Sequence, residues 1–250
     1  MSAGAIHVGI GGWDYDPWRG TFYPVGLPKA KQLEHASRRV TAIEINATFY
    51  KLQRPELFER WAAATPEGFK FAIKGSRFCV NRRVLAEAGE AIGRFCGQGL
   101  EALGDRLGPI LWQLAETKRF DADDLRAFLA ALPREAQGLR LRHVLEVRHE
   151  SFRDSALPDL AREAGVAIAF VDAPGVPAID APAADFAYAR LKGMREEEAE
   201  GYSSDELDRW AALARRWSES GREVFLFFIN GAKVRAPAAA EALLARLGRR

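Results

Sequence analysis

The chain of 250 residues is 48% hydrophobic and 28% charged, and its formal net charge at pH 7 is +2. This is the composition of an ordinary globular protein, and so balanced a charge gives no argument for a nucleic-acid partner. Two cysteines are too few for a disulfide framework or a cysteine-rich metal site, which favours a cytoplasmic location. The N-terminal residues lack a basic region and no long apolar run occurs, so we expect no signal peptide, no transmembrane helix and no membrane partner.

Eight short apolar segments are predicted to be buried strands. In chain order they are residues 6–12, 41–46, 69–76, 109–114, 143–148, 166–172, 186–193 and 223–230. Amphipathic helical patterns separate most of them, and the clearest of these patterns cover residues 55–66, 121–133, 203–221 and 236–248. Residues 173–184 are rich in proline and alanine where a sixth helix should lie, so we expect a loop or a short helix there.

The alternation of strand and helix predicts the fold class. Strand followed by helix about eight times indicates parallel βα units, and eight such units in ~250 residues match a (β/α)8 TIM-type barrel of the α/β class. The alternative is an open doubly wound sheet, which more often has five to seven strands. No internal repeat or second domain is visible, so we predict one barrel domain over residues 1–250.

Polar side chains stand at the C-terminal ends of nearly all the predicted strands. They are Glu44, Asn46, Lys74, Gln113, Glu146, Arg148, Asp172, Arg190, Lys192 and Asn230. In a barrel these ends converge on one mouth, where barrel enzymes hold their active sites. Buried charges need partners of opposite sign, so the group is either a ligand site or an ion-pair lattice that closes the barrel, and we predict a ligand site.

The segment after the first strand, GGWDYDPWRGTFYP (residues 11–24), is dense in aromatic residues. Trp13, Tyr15, Trp18, Phe22 and Tyr23 could line a pocket and stack on a ligand. Equally, they could fill one end of the barrel, and the sequence leaves both interpretations open.

Several strings resemble the YecE-like domain of unknown function 72 family. They include GIGGWDYDPWRGTFYP, AIEINATFY, WAAATPEGFKFAIKGS and HVLEVRHESF, and they run in family order over residues 8–230. The resemblance implies a TIM-type barrel but no reaction. The positions similar to the family's site residues are Trp13, Tyr15, Glu44, Asn46, Thr48, Tyr50, Lys74, Gln113, Glu146, Arg148, Arg190 and Asn230.

The chain departs from this family at two places. Members usually carry a Thr-His pair after the lysine of the third strand, where this chain has KGSRFCVNRR with Cys79 and Asn81. If the family's chemistry needs that imidazole, this chain lacks it or uses Cys79 or Asn81 instead. After the last strand, Asn230 is followed by Gly231 where many members have a second asparagine.

The candidate catalytic residues are Glu44, Glu146 and Lys74. The two glutamates could be a general acid and base, or each could be the fixed partner of an arginine or lysine. Lys74 could form a Schiff base, but nearby carboxylates should raise its pKa and keep it protonated, which favours an electrostatic role. The candidate ligand-binding residues are Trp13, Tyr15, Asn46, Tyr50, Gln113, Arg148, Arg190 and Asn230.

We predict no metal and no cofactor. Of the four histidines only His149 follows a strand closely enough to reach the mouth, and the adjacent cations argue against Mg²⁺ or Ca²⁺ at the carboxylates. GIGG lacks the spacing of a dinucleotide-binding loop. Cys79 would be reactive only if it lay beside Lys74 and Arg77, and we expect both cysteines to be structural.

These residues predict an uncharacterised barrel protein that uses acid/base chemistry on a small polar, anionic or sugar-like ligand. If it is an enzyme, it would be a metal-independent hydrolase, lyase or isomerase. The alternative is a non-catalytic binder of a nucleotide or nucleic-acid fragment through the same aromatic and basic mouth. A third interpretation is a scaffold with an exposed apolar patch for a protein partner.

Overall fold

The computed structural model describes residues 2–248, and its main strands form one parallel sheet. The strands are β1 (Ile6–Gly11), β2 (Ala42–Ile45), β3 (Lys70–Lys74), β4 (Leu107–Gln113), β5 (His143–Glu146), β6 in two segments (Ala167–Ile168 and Phe170–Asp172), β7 (Phe186–Leu191) and β8 (Glu223–Phe228). All eight lie within the segments predicted from the sequence or overlap them closely. Consecutive strands pair in chain order, and β8 pairs with β1.

The two segments of β6 close the sheet into a barrel. The first segment pairs with β5 and the second with β7, and only Ala169 separates them. The backbone N–H of Ala169 still donates to the carbonyl of Leu145 at 2.9 Å. The nine hydrogen-bonded segments are therefore an eight-stranded parallel barrel, as the sequence predicted.

Helices cover the outside of the barrel between the strands. They are α1 (Gln32–Ala36), α2 (Ala47–Tyr50), α3 (Pro55–Ala63), α4 (Arg77–Val80), α5 (Gly89–Cys96), α6 (Ala122–Ala130), α7 (Ala156–Ala164), α8 (Ser204–Glu219) and α9 (Ala236–Arg246). Short 3₁₀ turns cover Asp16–Trp18, Lys29–Lys31, Leu85–Ala88, Leu100–Arg106, Glu150–Phe152 and Lys233–Arg235. The four predicted helices are confirmed with slightly shorter ends.

Two connections show what the sequence did and did not predict. Residues 173–184 form a loop without a helix, in agreement with one of the two expected forms. The antiparallel pair Glu135–Ala136 with Leu139–Arg140, just before β5, was not predicted, because two-residue strands leave no periodicity to read.

Local side-chain caps fix where the longer helices begin. Before α8, the Ser203 hydroxyl accepts from the Glu206 N–H, and the Glu206 carboxylate accepts from the Ser203 N–H at 2.8 Å. Before α6, the Asp121 carboxylate accepts from the N–H groups of Asp123 and Asp124. These bonds satisfy backbone donors that a helix leaves free at its start.

The strand alternation divides the core into an outer layer and a barrel interior. In β8, Val224, Leu226 and Phe228 belong to the large cluster beneath the helices, whereas Phe225 and Phe227 belong to the interior cluster. The interior cluster also holds Ala42, Ala72, Leu111, Val144, Ala167, Ala169, Val171, Phe186, Tyr188 and Ile229. Every second side chain of each strand therefore points into the barrel.

Charges also close the N-terminal end of the interior. Glu223 lies 2.8 Å from the Nε2 atom of His7 and forms an ion pair with Arg142. The Arg142 guanidinium lies 5.1 Å from the centre of the Phe225 ring. The interior is thus an apolar middle between two polar ends, and the end opposite this one is the C-terminal mouth.

Gly9 in β1 sets how closely β2 can approach. A Cβ atom at this position would lie 2.1 Å from the backbone carbonyl oxygen of Ala42, which cannot move without disturbing the sheet. We predict that Gly9→Ala lowers the free energy of unfolding by about 3 kcal/mol or more. The matched control is Gly89→Ala at the start of α5, where a Cβ meets open space and should be neutral or stabilising by about 0.5–1 kcal/mol. Urea unfolding followed by tryptophan fluorescence measures both, and equal effects would contradict the close approach.

Candidate functional site

The interior-facing positions of three strands bring charged side chains together at the C-terminal mouth. Glu44 shares the face of Ala42, Glu146 that of Val144, and Arg190 that of Tyr188. Glu44 and Glu146 are 0% exposed and Arg190 is 1% exposed. Carboxylates and a guanidinium this deeply buried must satisfy one another, because an unpaired buried charge costs several kcal/mol.

Glu44 is fully hydrogen-bonded by β7. Its Oε1 atom accepts from the Nη2 of Arg190 at 2.9 Å, and its Oε2 atom accepts from the Nε of Arg190 at 3.0 Å. The Tyr188 hydroxyl donates to Oε2 at 2.8 Å. This side-on bidentate pairing is the strong form of an arginine–carboxylate contact. It explains why a carboxylate can end an otherwise apolar strand.

Glu146 is held from three directions. Its Oε2 atom accepts from the Nη1 of Arg190 at 2.5 Å, and its Oε1 atom accepts from Lys192 at 2.7 Å and from Gln113 at 2.8 Å. Burial by itself would raise the pKa of Glu146, but Arg190 and then Lys192 outweigh it and lower the pKa to about 2. Glu146 is therefore ionised at neutral pH and has no proton to donate.

Arg190 joins the two carboxylates, and we call Glu44, Glu146, Tyr188, Arg190 and Lys192 the Glu–Arg cluster. Burial alone would lower the pKa of Arg190, but Glu146 and Glu44 reverse this and raise it. Burial, reinforced by Glu44, raises the pKa of Tyr188 well above its usual value, so its hydroxyl keeps its proton and donates it in a hydrogen bond. Two negative and two positive charges balance within the cluster.

Lys74, at the end of β3, stands beside this cluster without joining it. Among residues 2–248 no oxygen accepts a hydrogen bond from its Nζ atom, which lies 4.4 Å from the centre of the Phe49 ring. Burial and the Arg190 charge lower the pKa of Lys74 to about 8, although Glu44 and Glu146 act in the opposite direction. The two carboxylates do raise this pKa, as expected, but the expected net rise is wrong, because burial together with Arg190 and Lys192 outweighs them.

The remaining mouth residues are less engaged. Arg148 forms an ion pair with Glu116, and its buried Nε atom has no hydrogen-bond partner within residues 2–248. Asn46 is half-buried, and Tyr50 and Asn230 are exposed. Asn230 has a φ of +61°, a conformation that asparagine adopts more readily than most residues. Of these residues, Arg148 influences the Glu–Arg cluster through its charge on Lys192, and no hydrogen bond among residues 2–248 joins Asn46, Tyr50 or Asn230 to the cluster.

The sequence pattern predicted that Asp172 faces the mouth, but in the structure it does not. Val171 belongs to the interior cluster, so its neighbour Asp172 points to the opposite face of β6. There its carboxylate accepts from the Tyr202 hydroxyl at 2.6 Å. The end of this strand was correctly predicted, but the predicted place of Asp172 among the charges of the mouth was wrong.

The aromatic segment after β1 packs mainly against the outer core. Trp18, Phe22 and Tyr23 are buried there, and the indole N–H of Trp18 donates to the Lys233 carbonyl at 3.0 Å. Trp13 and Tyr15 are half-buried. The Trp13 ring lies edge-on to Trp61, with 5.4 Å between the ring centres. Most of these rings therefore support the loop rather than line the barrel interior.

Cys79 lies in the outer core and not at the mouth, so it does not take the place of the family's histidine there. It lies in α4, whose start is capped by Ser76, and it is buried in the outer core with Cys96. Burial raises the pKa of Cys79 to about 11 and that of Cys96 to about 12. Asn81 is exposed and lines a cleft of about 770 Å³ together with Arg82, Arg83, Lys118 and Arg119.

Two features of this site were not predicted from the sequence. Tyr188 was overlooked as a partner of Glu44, although Tyr188, Arg190 and Lys192 recur at every second residue of one strand and its extension. The basic cleft was also overlooked, because its arginines come from loops after β3 and β4 that only the fold brings together. No group of three or more metal-ligating side chains occurs within residues 2–248, and none of the described helices is long and apolar enough to cross a membrane.

Comparison with known proteins shows the same fold and family resemblance. The family described as "Protein of unknown function DUF72" matches residues 7–250. UPF0759 protein YecE of Escherichia coli K12 is 28% identical over 150 residues, which are 59% of this chain and 50% of YecE, so the chain spans about half the length of this relative. A DUF72 family protein from Enterococcus faecalis superposes with a TM-score of 0.78 at 17% identity, covering 98% of this chain and 96% of the other. A DUF72 family protein from Thermotoga maritima gives 0.76 at 23% identity, covering 96% of each.

Substitution of Arg190 tests how much the two buried carboxylates contribute to instability when their shared cation is absent. We predict that Arg190→Met lowers the free energy of unfolding by about 3–5 kcal/mol, because Glu44 and Glu146 stay buried without their main partner. The control is Arg195→Met, which removes a partly exposed arginine paired with Glu206 and Glu198 and should cost at most about 1 kcal/mol. Chemical denaturation measures both, and a similar loss in the two variants would contradict the central role of Arg190.

The two thiols should be unreactive in the folded protein. We predict that Cys79 and Cys96 fail to react with a disulfide reagent such as dithionitrobenzoate at pH 8, because both are buried and their raised pKa values disfavour the thiolate. Absorbance of the released thiolate measures the reaction, and unfolding in guanidinium should release both thiols at once. Fast reaction of Cys79 in the native protein would show that it is accessible and available for chemistry.

Proposed function

The chain belongs to the DUF72 family, and we propose that it is an enzyme that performs acid/base chemistry on a small polar, anionic or sugar-like ligand at the C-terminal mouth of its barrel. The state of Lys74 carries this proposal. The Lys74 ammonium has no hydrogen-bond acceptor within residues 2–248, and its pKa of about 8 is close to neutral pH. A purely structural role explains this poorly, since a structural lysine gains stability from a fixed partner.

Lys74 is the mouth residue best suited to move a proton. With a pKa of about 8, about a tenth of its amines are neutral at pH 7, against about one in three thousand for an ordinary lysine. A group with a pKa near the working pH can both accept and return a proton during a reaction. Its position at a strand end, in reach of the mouth, supports this role.

Glu44 and Glu146 then act as fixed partners more readily than as a catalytic pair. Glu146 keeps its charge far below neutral pH, and all four oxygens of the two side chains are hydrogen-bonded to Arg190, Tyr188, Lys192 or Gln113. Their role in the proposal is to hold Arg190 and Lys192 in place. These two cations in turn lower the pKa of Lys74.

The charge of the mouth supports an anionic ligand. The Glu–Arg cluster balances itself, so Lys74 is a surplus positive charge next to it. Arg148 adds a guanidinium with one unused buried donor and lies close enough to Lys192 to lower the pKa of that lysine further. A phosphate or carboxylate would accept from such donors. Asn46 and the exposed Tyr50 and Asn230 would contact the polar remainder of the ligand.

A second candidate function is binding of a nucleotide or nucleic-acid fragment without catalysis. The observation that favours it is the basic cleft with Arg82, Arg83 and Arg119. Arg82 donates to the backbone carbonyl of Phe78 at 2.6 Å, and the Phe78 side chain is exposed. Backbone phosphates would pair with the arginines, and a base would stack on the Phe78 ring. The unpaired thiols also lead us to infer a cytoplasmic location for either function.

The enzymatic proposal can be tested without knowing the substrate. We would incubate sugar phosphates, hydroxy acids and neutral sugars with the protein in D2O and follow their proton NMR spectra. We expect conversion or carbon-bound deuterium exchange in an anionic compound, with a rate that rises as pH increases through about 8, because the base form of Lys74 must be neutral. Lys74→Met should lower the rate by at least about 100-fold.

Lys70→Met provides the matched control, since Lys70 begins the same strand at its opposite end and donates to the Asp105 carbonyl. It should leave the rate unchanged. A Lys74→Met protein that folds and keeps full activity would contradict the role of Lys74. If no compound changes but an oligonucleotide binds with an affinity that falls steeply as salt increases, the non-catalytic candidate is the better one.

A further inference from the structure

We propose that Lys74 forms a covalent imine with the carbonyl carbon of its ligand, so that the substrate of the mouth is an aldehyde or ketone that also carries a phosphate or carboxylate. This inference rests on the proposed function, because it uses the same mouth and the same lysine. It goes further in naming the reacting group of the ligand and a bond to the protein.

The geometry separates Lys74 from the other lysine of the mouth. Lys192 donates to Glu146 at 2.7 Å, and its side chain is 8% exposed, so its ammonium is fixed as an ion-pair partner. Lys74 is half-buried and its Nζ atom has no acceptor within residues 2–248. The Phe49 ring covers one side at 4.4 Å and gives the charged form only weak support. A nucleophilic amine must release its proton and keep its lone pair free, and only Lys74 of the two is placed to do so.

The surroundings of Lys74 act on its proton from several elements. Burial is the main influence and disfavours the charged form; Arg190 and Lys192 on and after β7 act in the same direction. Glu44 on β2 and Glu146 on β5 oppose them. The Thr48 hydroxyl donates a hydrogen bond to the backbone carbonyl of Lys74 at 2.7 Å. This bond fixes the backbone from which the Lys74 side chain extends.

The covalent step balances without any added oxidant or reductant. The neutral Nζ attacks the carbonyl carbon, the C–N bond forms as the C=O π bond opens, and one proton passes from the nitrogen to the oxygen to give a neutral carbinolamine. The nitrogen lone pair then forms the C=N bond while the hydroxyl leaves as water after a second protonation. In total an ammonium and a carbonyl give an iminium and one water. The single positive charge of Lys74 is kept, so the balance with Glu44 and Glu146 does not change.

Arg148 is the residue expected to select anionic carbonyl compounds. Its guanidinium is paired with Glu116, but its buried Nε donor has no partner within residues 2–248, and its charge acts on Lys192 of the Glu–Arg cluster. A phosphate or carboxylate held there would leave the carbonyl end of a short molecule free to approach Lys74. A neutral carbonyl compound of the same length would lose this contact.

Trapping tests the imine in the wild-type protein. We would incubate it with glyceraldehyde 3-phosphate or with neutral glyceraldehyde, each with sodium cyanoborohydride, and identify the modified lysines by peptide mass spectrometry. Lys233 is the internal comparison, because burial lowers its pKa and it lies 4.5 Å from the Tyr15 ring, but outside the Glu–Arg cluster. We expect Lys74 to be labelled at least about tenfold faster than Lys233 by the phosphorylated aldehyde. The Arg148→Met variant should lose most of the preference for the phosphorylated over the neutral probe.

A second measurement separates failure of this inference from failure of the proposed function. Acetic anhydride labels neutral amines, so the pH dependence of Lys74 acetylation reports its pKa without any carbonyl ligand. A midpoint near pH 8 with no preferential aldehyde adduct would overturn the imine and leave acid/base catalysis by Lys74 in place. A midpoint near the ordinary value of 10.5 would overturn both. Equal labelling of Lys74 and Lys233 would also overturn the imine.

Discussion

The buried guanidinium of Arg190, shared by Glu44 and Glu146, is the interaction on which the mouth of this barrel depends. It joins β2, β5 and β7 across the interior, and each nitrogen of the guanidinium donates to a carboxylate. Because all three groups are removed from water, the loss of any one leaves an uncompensated charge. The hydrogen bonds of Arg190 therefore fix the relative positions of β2, β5 and β7 at the mouth, which an apolar core of the same volume would not do.

The state of Lys74 follows from that arrangement. Had the two carboxylates been free, they would have held its ammonium and raised its pKa, as a reading of neighbouring charges alone suggests. Instead, Arg190 and Lys192 hold the two carboxylates, and burial together with these two cations outweighs the opposing effect of Glu44 and Glu146, so the pKa of Lys74 falls to about 8. The ion-pair network and the low pKa of Lys74 are therefore connected, because the cations of the network add to the main effect of burial and offset the two carboxylates.

The interior column also explains why polar groups gather only at its ends. Its middle consists of side chains such as Leu111, Val144 and Phe227, which fill a barrel of eight strands completely. Glu223 with His7 and Arg142 closes the N-terminal end, and the Glu–Arg cluster closes the other. Both ends are charge-compensated, and at the C-terminal end Lys74 lies beside the cluster without a hydrogen-bond acceptor among residues 2–248.

The sequence by itself determined the eight strands, the barrel and the positions of Glu44, Lys74, Glu146 and Arg190 at strand ends, because periodicity and strand alternation are local properties. It did not determine that Asp172 turns to the outer face or that residues 173–184 lack a helix. Only the tertiary structure decided which charge pairs with which, and therefore which group stays free. Ion pairing depends on distances between residues far apart in the chain, such as Glu44 and Arg190, and a pKa depends on the sum of all such distances together with burial.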